Sequence, residues 1–139
     1  MPIQPDDVCF NKAAIIERAL RRMHQEYAAC PALDNYTHVD ALTLNIERAC
    51  QAAIDLAMHV VAREHAGMPQ NSADAFILLG KGGLLQAEVV REMISMTGFR
   101  NVAVHEYCEL DMGVLREIAK ERWKSLVRLC EQFGMCIKP

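Results

Sequence analysis

Apolar residues recur at three- and four-residue steps along nearly the whole chain, and no segment alternates in steps of two. Such spacing lines up side chains on one stripe of a helix, whereas a half-buried strand needs strict alternation. Phe10, Ala14, Ile16, Leu20, Met23 and Tyr27 mark a stripe that predicts a first helix from about Asp7 to Tyr27, with Glu17 and Arg21 as an i,i+4 pair off the stripe. Pro31 and the turn-prone Asp34-Asn35 separate it from a second helix, expected from about Asp40 to His65. Leu42, Ile46, Ala49, Ala53, Ala57, Val60 and Val61 form its apolar side, and its small residues let a neighbouring helix approach closely.

Gly67-Met68-Pro69 ends that helix. Asn71 or Ser72 can cap a short third helix through Leu79, closed by Gly80-Lys81-Gly82-Gly83. This glycine run lacks the order of a phosphate loop and follows no strand, so it reads as a helix end. A fourth helix begins near Leu85. A fifth, capped by Asp111, carries Leu115, Ile118, Ala119, Trp123, Leu126, Cys130 and Phe133 on one face and stops at Gly134. The expected fold is all-α: an antiparallel four-helix bundle with one additional short helix, a single domain over residues 1–139.

Composition excludes several functions. With 52% apolar and 24% charged residues in 139, the chain is an ordinary globular one with enough length for a core. A formal charge of −3 argues against general adhesion to nucleic acid or acidic membranes, though not against a local basic cleft. The six cysteines, Cys9, Cys30, Cys50, Cys108, Cys130 and Cys136, match no zinc module, and their apolar neighbours suit reduced thiols of a cytoplasmic protein. No signal peptide is expected at the amino terminus, and no apolar run approaches a membrane span.

The exception to this regularity lies at the far end of the fourth helix, in Arg100-Asn101-Val102-Ala103-Val104-His105-Glu106-Tyr107. Two stripes run into it: Val89, Met93, Met96 and then Arg100; Val90, Ile94, Thr97 and then Asn101 and His105. Both begin apolar and turn polar. Asn101 and His105, four apart, share a face; Arg100 flanks it; Gly98, one turn earlier, leaves room for a close approach. Tyr107 falls near the helix end. Histidine moves protons near neutral pH, and the arginine fork matches phosphate oxygens. Together they suit attack of a ribose 2′-hydroxyl on the adjacent phosphodiester, with His105 moving protons, Arg100 stabilising phosphoryl charge and Asn101 supporting. This chemistry needs neither metal nor other cofactor. Spacing alone also fits a histidine at a helix C-terminus and a solvated arginine.

The arrangement resembles the HEPN superfamily, and within it the HepT-like toxins of toxin–antitoxin modules. The resemblance rests on arginine, a polar residue, histidine five positions on and tyrosine two further, here Arg100, Asn101, His105 and Tyr107, preceded by Met96-Thr97-Gly98-Phe99. The helix from Asn45 through Ala49-Cys50 to Asp55, and the Gly67-Met68-Pro69 turn, are also similar. The resemblance implies a metal-independent endoribonuclease toxin of a type VII-like module. Its two copies would meet as a homodimer around an RNA cleft. A minimal nucleotidyltransferase antitoxin would silence it by transferring AMP to Tyr107. Two alternatives stay open: a non-catalytic helical subunit that partners the nucleotidyltransferase, and a purely structural dimer. His59 and Arg63 can flank the cleft, although a solvated helix face is the commoner meaning; the same holds for Arg116, Lys120 and Lys124. His24, His38 and His65 are expected at the surface.

Overall fold

The computed structural model describes residues 3–101 and 111–139 in full and the backbone of 102–105. Its described part is all-helical: α1 (Asp7–Ala29), α2 (Tyr36–Arg63), α3 (Ser72–Lys81), α4 (Ala87–His105), α5 (Met112–Glu117), a π-helical turn (Ile118–Arg122) and α6 (Lys124–Gln132).

The helix starts follow side-chain caps. Asp6 accepts from the Cys9 N–H, Asn35 from Thr37 and His38, Asn71 from Asp74 and Asp111 from Gly113. α2 therefore begins four residues before Asp40. Tyr36, Thr37 and His38 contribute no buried apolar residue, so the apolar stripe starts only at Val39, one turn into the helix. The stripe of α1 also differs from expectation at its start. Cys9 and Ala13 are buried, whereas Phe10 is 54% exposed and Ala14 lies outside.

α1 and α2 run antiparallel, because Asp6 meets His59 and Arg63 at one end while Glu26 meets His38 at the other. α4 and the last helical stretch are antiparallel too: Gln86 N–H donates to Gln132, Glu92 pairs with Arg128, and Arg122 donates to Ser95. α2 is central and packs against α1, α3, α4 and α6. Its Ala49, Ala52, Ala53 and Ala57 are all buried, as close helix approach requires. The core draws on every helix, from Ile16, Leu20 and Met23 through Leu42, Ile46 and Leu56 to Phe76, Met93, Met96, Leu126 and Phe133.

The π turn was not legible in the sequence. The Trp123 N–H reaches back five residues to the Ile118 carbonyl at 3.1 Å. One extra residue rotates the helix face, so burial passes from Leu115, Ile118 and Ala119 to Ser125, Leu126, Leu129 and Cys130. Of Arg116, Lys120 and Lys124, the two lysines are exposed and Arg116 is half-buried; Arg116 donates to the Ala32 carbonyl, and Lys124 pairs with Glu121 at the surface. The turn also aims Arg122 at Ser95 of α4.

Candidate functional site

Arg100 continues the buried Val89–Met93–Met96 stripe of α4 and is half-buried itself. Its Nη1 donates to Asn101 Oδ1 at 3.3 Å. Its Nε is buried and has no acceptor among the described residues. The head lies in a hollow of about 150 Å³ shared with Leu44, Glu47, Arg48 and Gln51 of α2. No carboxylate among the described residues comes within ion-pair distance of it, although Glu47 lines the same hollow.

The helix beneath this site is firmly packed. Met93, Met96 and Phe99 are buried, and the Thr97 hydroxyl donates to the Met93 carbonyl at 2.9 Å. Cys50 of α2 lies behind it, and burial pushes its thiol up to about 12 against the pull of the Arg100 and Arg122 cations. That thiol stays protonated and inert, while the two cations add positive potential to this face. Gly98 has open space around it rather than a close neighbour among the described residues.

α4 runs through His105, so Asn101 and His105 are one helical turn apart on a continuous backbone, and Asn101 is exposed. The His105 side chain, and Tyr107 together with Glu106, Cys108 and Glu109, lie outside the described residues. The structure thus brings Arg100 and Asn101 together and sets the helical register of His105.

His59 and Arg63, read as a solvated face, are half-buried and engaged elsewhere. Asp6 Oδ2 accepts from His59 Nε2 at 2.7 Å and Arg63 Nη1 at 3.2 Å. The Cys9 backbone N–H, then His59, hold the Asp6 carboxyl far below the usual carboxylate range. Asp6, Cys9 and His59 offer three potential metal-ligand atoms within 4.8 Å of one another. Their geometry serves a different end. The Arg63 cation occupies the same carboxylate oxygen, and burial raises the Cys9 thiol, which keeps its proton. The group locks the start of α1 to the end of α2. His24 also departs from a surface reading: its ring meets Trp123 edge-on at 4.5 Å, and burial lowers its pKa. No helix among the described residues is long and apolar enough to cross a membrane.

An all-helical bundle whose fourth helix ends in an arginine, a polar neighbour and a histidine is the architecture of a HEPN-type domain. The family model described as HepT-like, ribonuclease HepT-like, matches residues 13–133, and the chain belongs to that family. It is 33% identical over 134 residues to the mRNA nuclease HepT of Shewanella oneidensis, spanning 96% of this chain and 98% of that protein. It is 34% identical over 84 residues to the tRNA nuclease HepT of Aphanizomenon flos-aquae, 58% of this chain and 57% of that one. Among solved structures it superposes with a TM-score of 0.88 on the tri-AMPylated Shewanella oneidensis HEPN toxin in complex with MNT antitoxin. That match is 30% identical and covers 94% of this chain and 98% of the other.

Proposed function

We propose that this chain is the toxin of a toxin–antitoxin module: a metal-independent endoribonuclease acting in the cytoplasm and restrained by a minimal nucleotidyltransferase antitoxin. The observation that carries the reading is the Arg100 guanidinium, seated at the end of α4 with no carboxylate partner among the described residues. A cation left unpaired in a protein of net charge −3 is available to an anionic ligand. The relatives named as RNA nucleases, and the AMPylated toxin in complex with its antitoxin, supply the substrate class and the partner.

In this mechanism His105 takes the proton from a ribose 2′-hydroxyl as that oxygen attacks the adjacent phosphorus. The bond from phosphorus to the 5′-oxygen breaks, the departing oxygen takes up a proton, and a 2′,3′-cyclic phosphate remains. Arg100 stabilises the charge on the phosphoryl oxygens, and Asn101 orients Arg100 through the contact already formed. A homodimer brings two such helix ends to one cleft. Transfer of AMP to Tyr107 places extra phosphate charge two residues beyond the histidine, where it repels RNA.

The test is expression of the wild type and His105→Ala, each with and without the nucleotidyltransferase. The wild type alone is expected to arrest growth and to leave RNA ends bearing 2′,3′-cyclic phosphate; His105→Ala is expected to do neither. Arrest that persists in His105→Ala, with no RNA cleavage by the purified unmodified wild type, refutes the reading. A stable complex with the nucleotidyltransferase but no cleavage favours a non-catalytic subunit instead.

A further inference from the structure

The Arg100 hollow is not isolated. Arg48, which forms one of its walls, also lines a second pocket of about 220 Å³ between α1 and α2. That pocket holds three guanidinium groups, Arg18 and Arg22 from α1 and Arg48 from α2, and no carboxylate lines it. Arg22 is tethered to Glu26 at 2.6 Å and to Gln25 at 2.5 Å. Arg18 and Arg48 make no hydrogen bond or ion pair among the described residues, and both are exposed. Like charges lining one pocket repel each other, and an anion bound between them relieves that repulsion.

We propose that Arg18 and Arg48, with Arg22 behind them, form a phosphate-binding subsite that carries single-stranded RNA across α2 to Arg100. This rests on the ribonuclease reading above and specifies where its substrate is held. Guanidinium forks match phosphate oxygens in a way that suits a backbone track. Ile15 and Ala19 supply an apolar wall, and Asn45 adds a polar group that fits a sugar or base edge. The Asn45 amide donates to the Ala41 carbonyl at 2.8 Å, which leaves its oxygen as an acceptor for a ribose hydroxyl or a base N–H. A pocket combining cations, an apolar wall and an acceptor suits a nucleotide strand better than a simple anion. The groove between α4 and α6 is the rival surface. There Arg91, Arg122, Lys124 and Arg128 are interleaved with Glu92, Glu117 and Glu121, and two of those carboxylates are already ion-paired to Arg128 and Lys124.

The test is fluorescence anisotropy of a labelled single-stranded RNA against full-length protein made without the nucleotidyltransferase. The His105→Ala background prevents cleavage, and the titration is repeated over a range of salt. Arg18→Gln/Arg48→Gln is expected to weaken binding at low salt. It should also reduce the slope of log affinity against log salt by about 1.4, two contacts at roughly 0.7 each for a single strand. Arg91→Gln/Lys124→Gln removes the same charge from the rival groove and should leave the slope in place. An unchanged slope in the Arg18/Arg48 variant overturns the track, and the ribonuclease reading stands if the His105→Ala parent binds RNA and the wild type cleaves it. No binding by that parent and no cleavage by the wild type overturn both. A changed dimer mass, or loss of the antitoxin complex, with an unchanged slope assigns these arginines to a protein interface and also overturns the proposal.

Discussion

Arg100 uses one of its five N–H donors within the described part of the chain, and the acceptor is the amide of its own neighbour. Nε is buried without an acceptor among the described residues, and the side chain lines a hollow with room for a ligand oxygen. A lysine at this position keeps the charge but loses the planar fork, which separates two roles that a change to alanine would merge. If the fork matters because it grips two phosphoryl oxygens as charge develops, Arg100→Lys should slow single-turnover RNA cleavage roughly 100-fold, the scale of removing one transition-state donor. RNA affinity should change little, since the ground-state attraction is mostly Coulombic. Cleavage at the wild-type rate in Arg100→Lys would mean that a point charge suffices and that the fork has no catalytic part.

Elements differ in how far the sequence reveals them. α1, α2, α3 and α4 are legible because each alternates buried and exposed residues at helical spacing and is punctuated by glycine, proline or a capping side chain. The π turn is not, since Leu115, Ala119, Trp123 and Leu126 fall at the four- and three-residue steps of a regular helix despite the extra residue. The chemistry of the α4 end is legible as residue types in order. The Arg18–Arg48 pocket is not, because its arginines lie thirty positions apart and meet only when α1 folds against α2. Gly80 shows how packing overrules propensity at this scale. Alanine there would raise helix propensity by about 1 kcal/mol. A methyl group would however sit 2.9 Å from Val90 Cγ2, on a β-branched side chain that cannot swing away. Overpacking costs about 1–3 kcal/mol, so Gly80→Ala should destabilise by about 1 kcal/mol on balance. Denaturant unfolding of Gly80→Ala, Val90→Ala and the pair checks this. The double variant should be clearly more stable than the sum of the two single effects allows, because Val90→Ala removes the clash, and strict additivity would mean that α3 and α4 are not in tight contact there.

At the scale of the molecule, two polar ties close the bundle. The Lys138 N–H donates to Glu17 at 2.7 Å while Arg21 donates to the Lys138 carbonyl, which binds the C-terminal tail to α1. Asp6 joins the N-cap of α1 to His59 and Arg63 near the end of α2. Because these partners favour its charged form, Asp6 has a lower pKa folded than unfolded. The sign follows: its contribution is fully present above the ordinary carboxylate value of 3.8 and is lost as pH falls below it towards the depressed folded value. Asparagine is as good an N-cap as aspartate but carries no charge, so Asp6→Asn keeps the cap and deletes the ion pairs. Denaturant midpoints measured from pH 7 down to pH 2 should therefore start lower for Asp6→Asn than for the wild type and converge with it in acid. Parallel curves would show that folding does not lower the Asp6 pKa, through either the cap N–H or the ion pairs. Asp6→Ala, which loses both roles, should lie below Asp6→Asn at every pH. His59 is nine residues beyond Cys50 along α2, about 13 Å at the helical rise. At that remove the tie acts on folding and not on the phosphodiester, so at pH 7 the folded fraction of Asp6→Asn should cleave RNA at the wild-type rate.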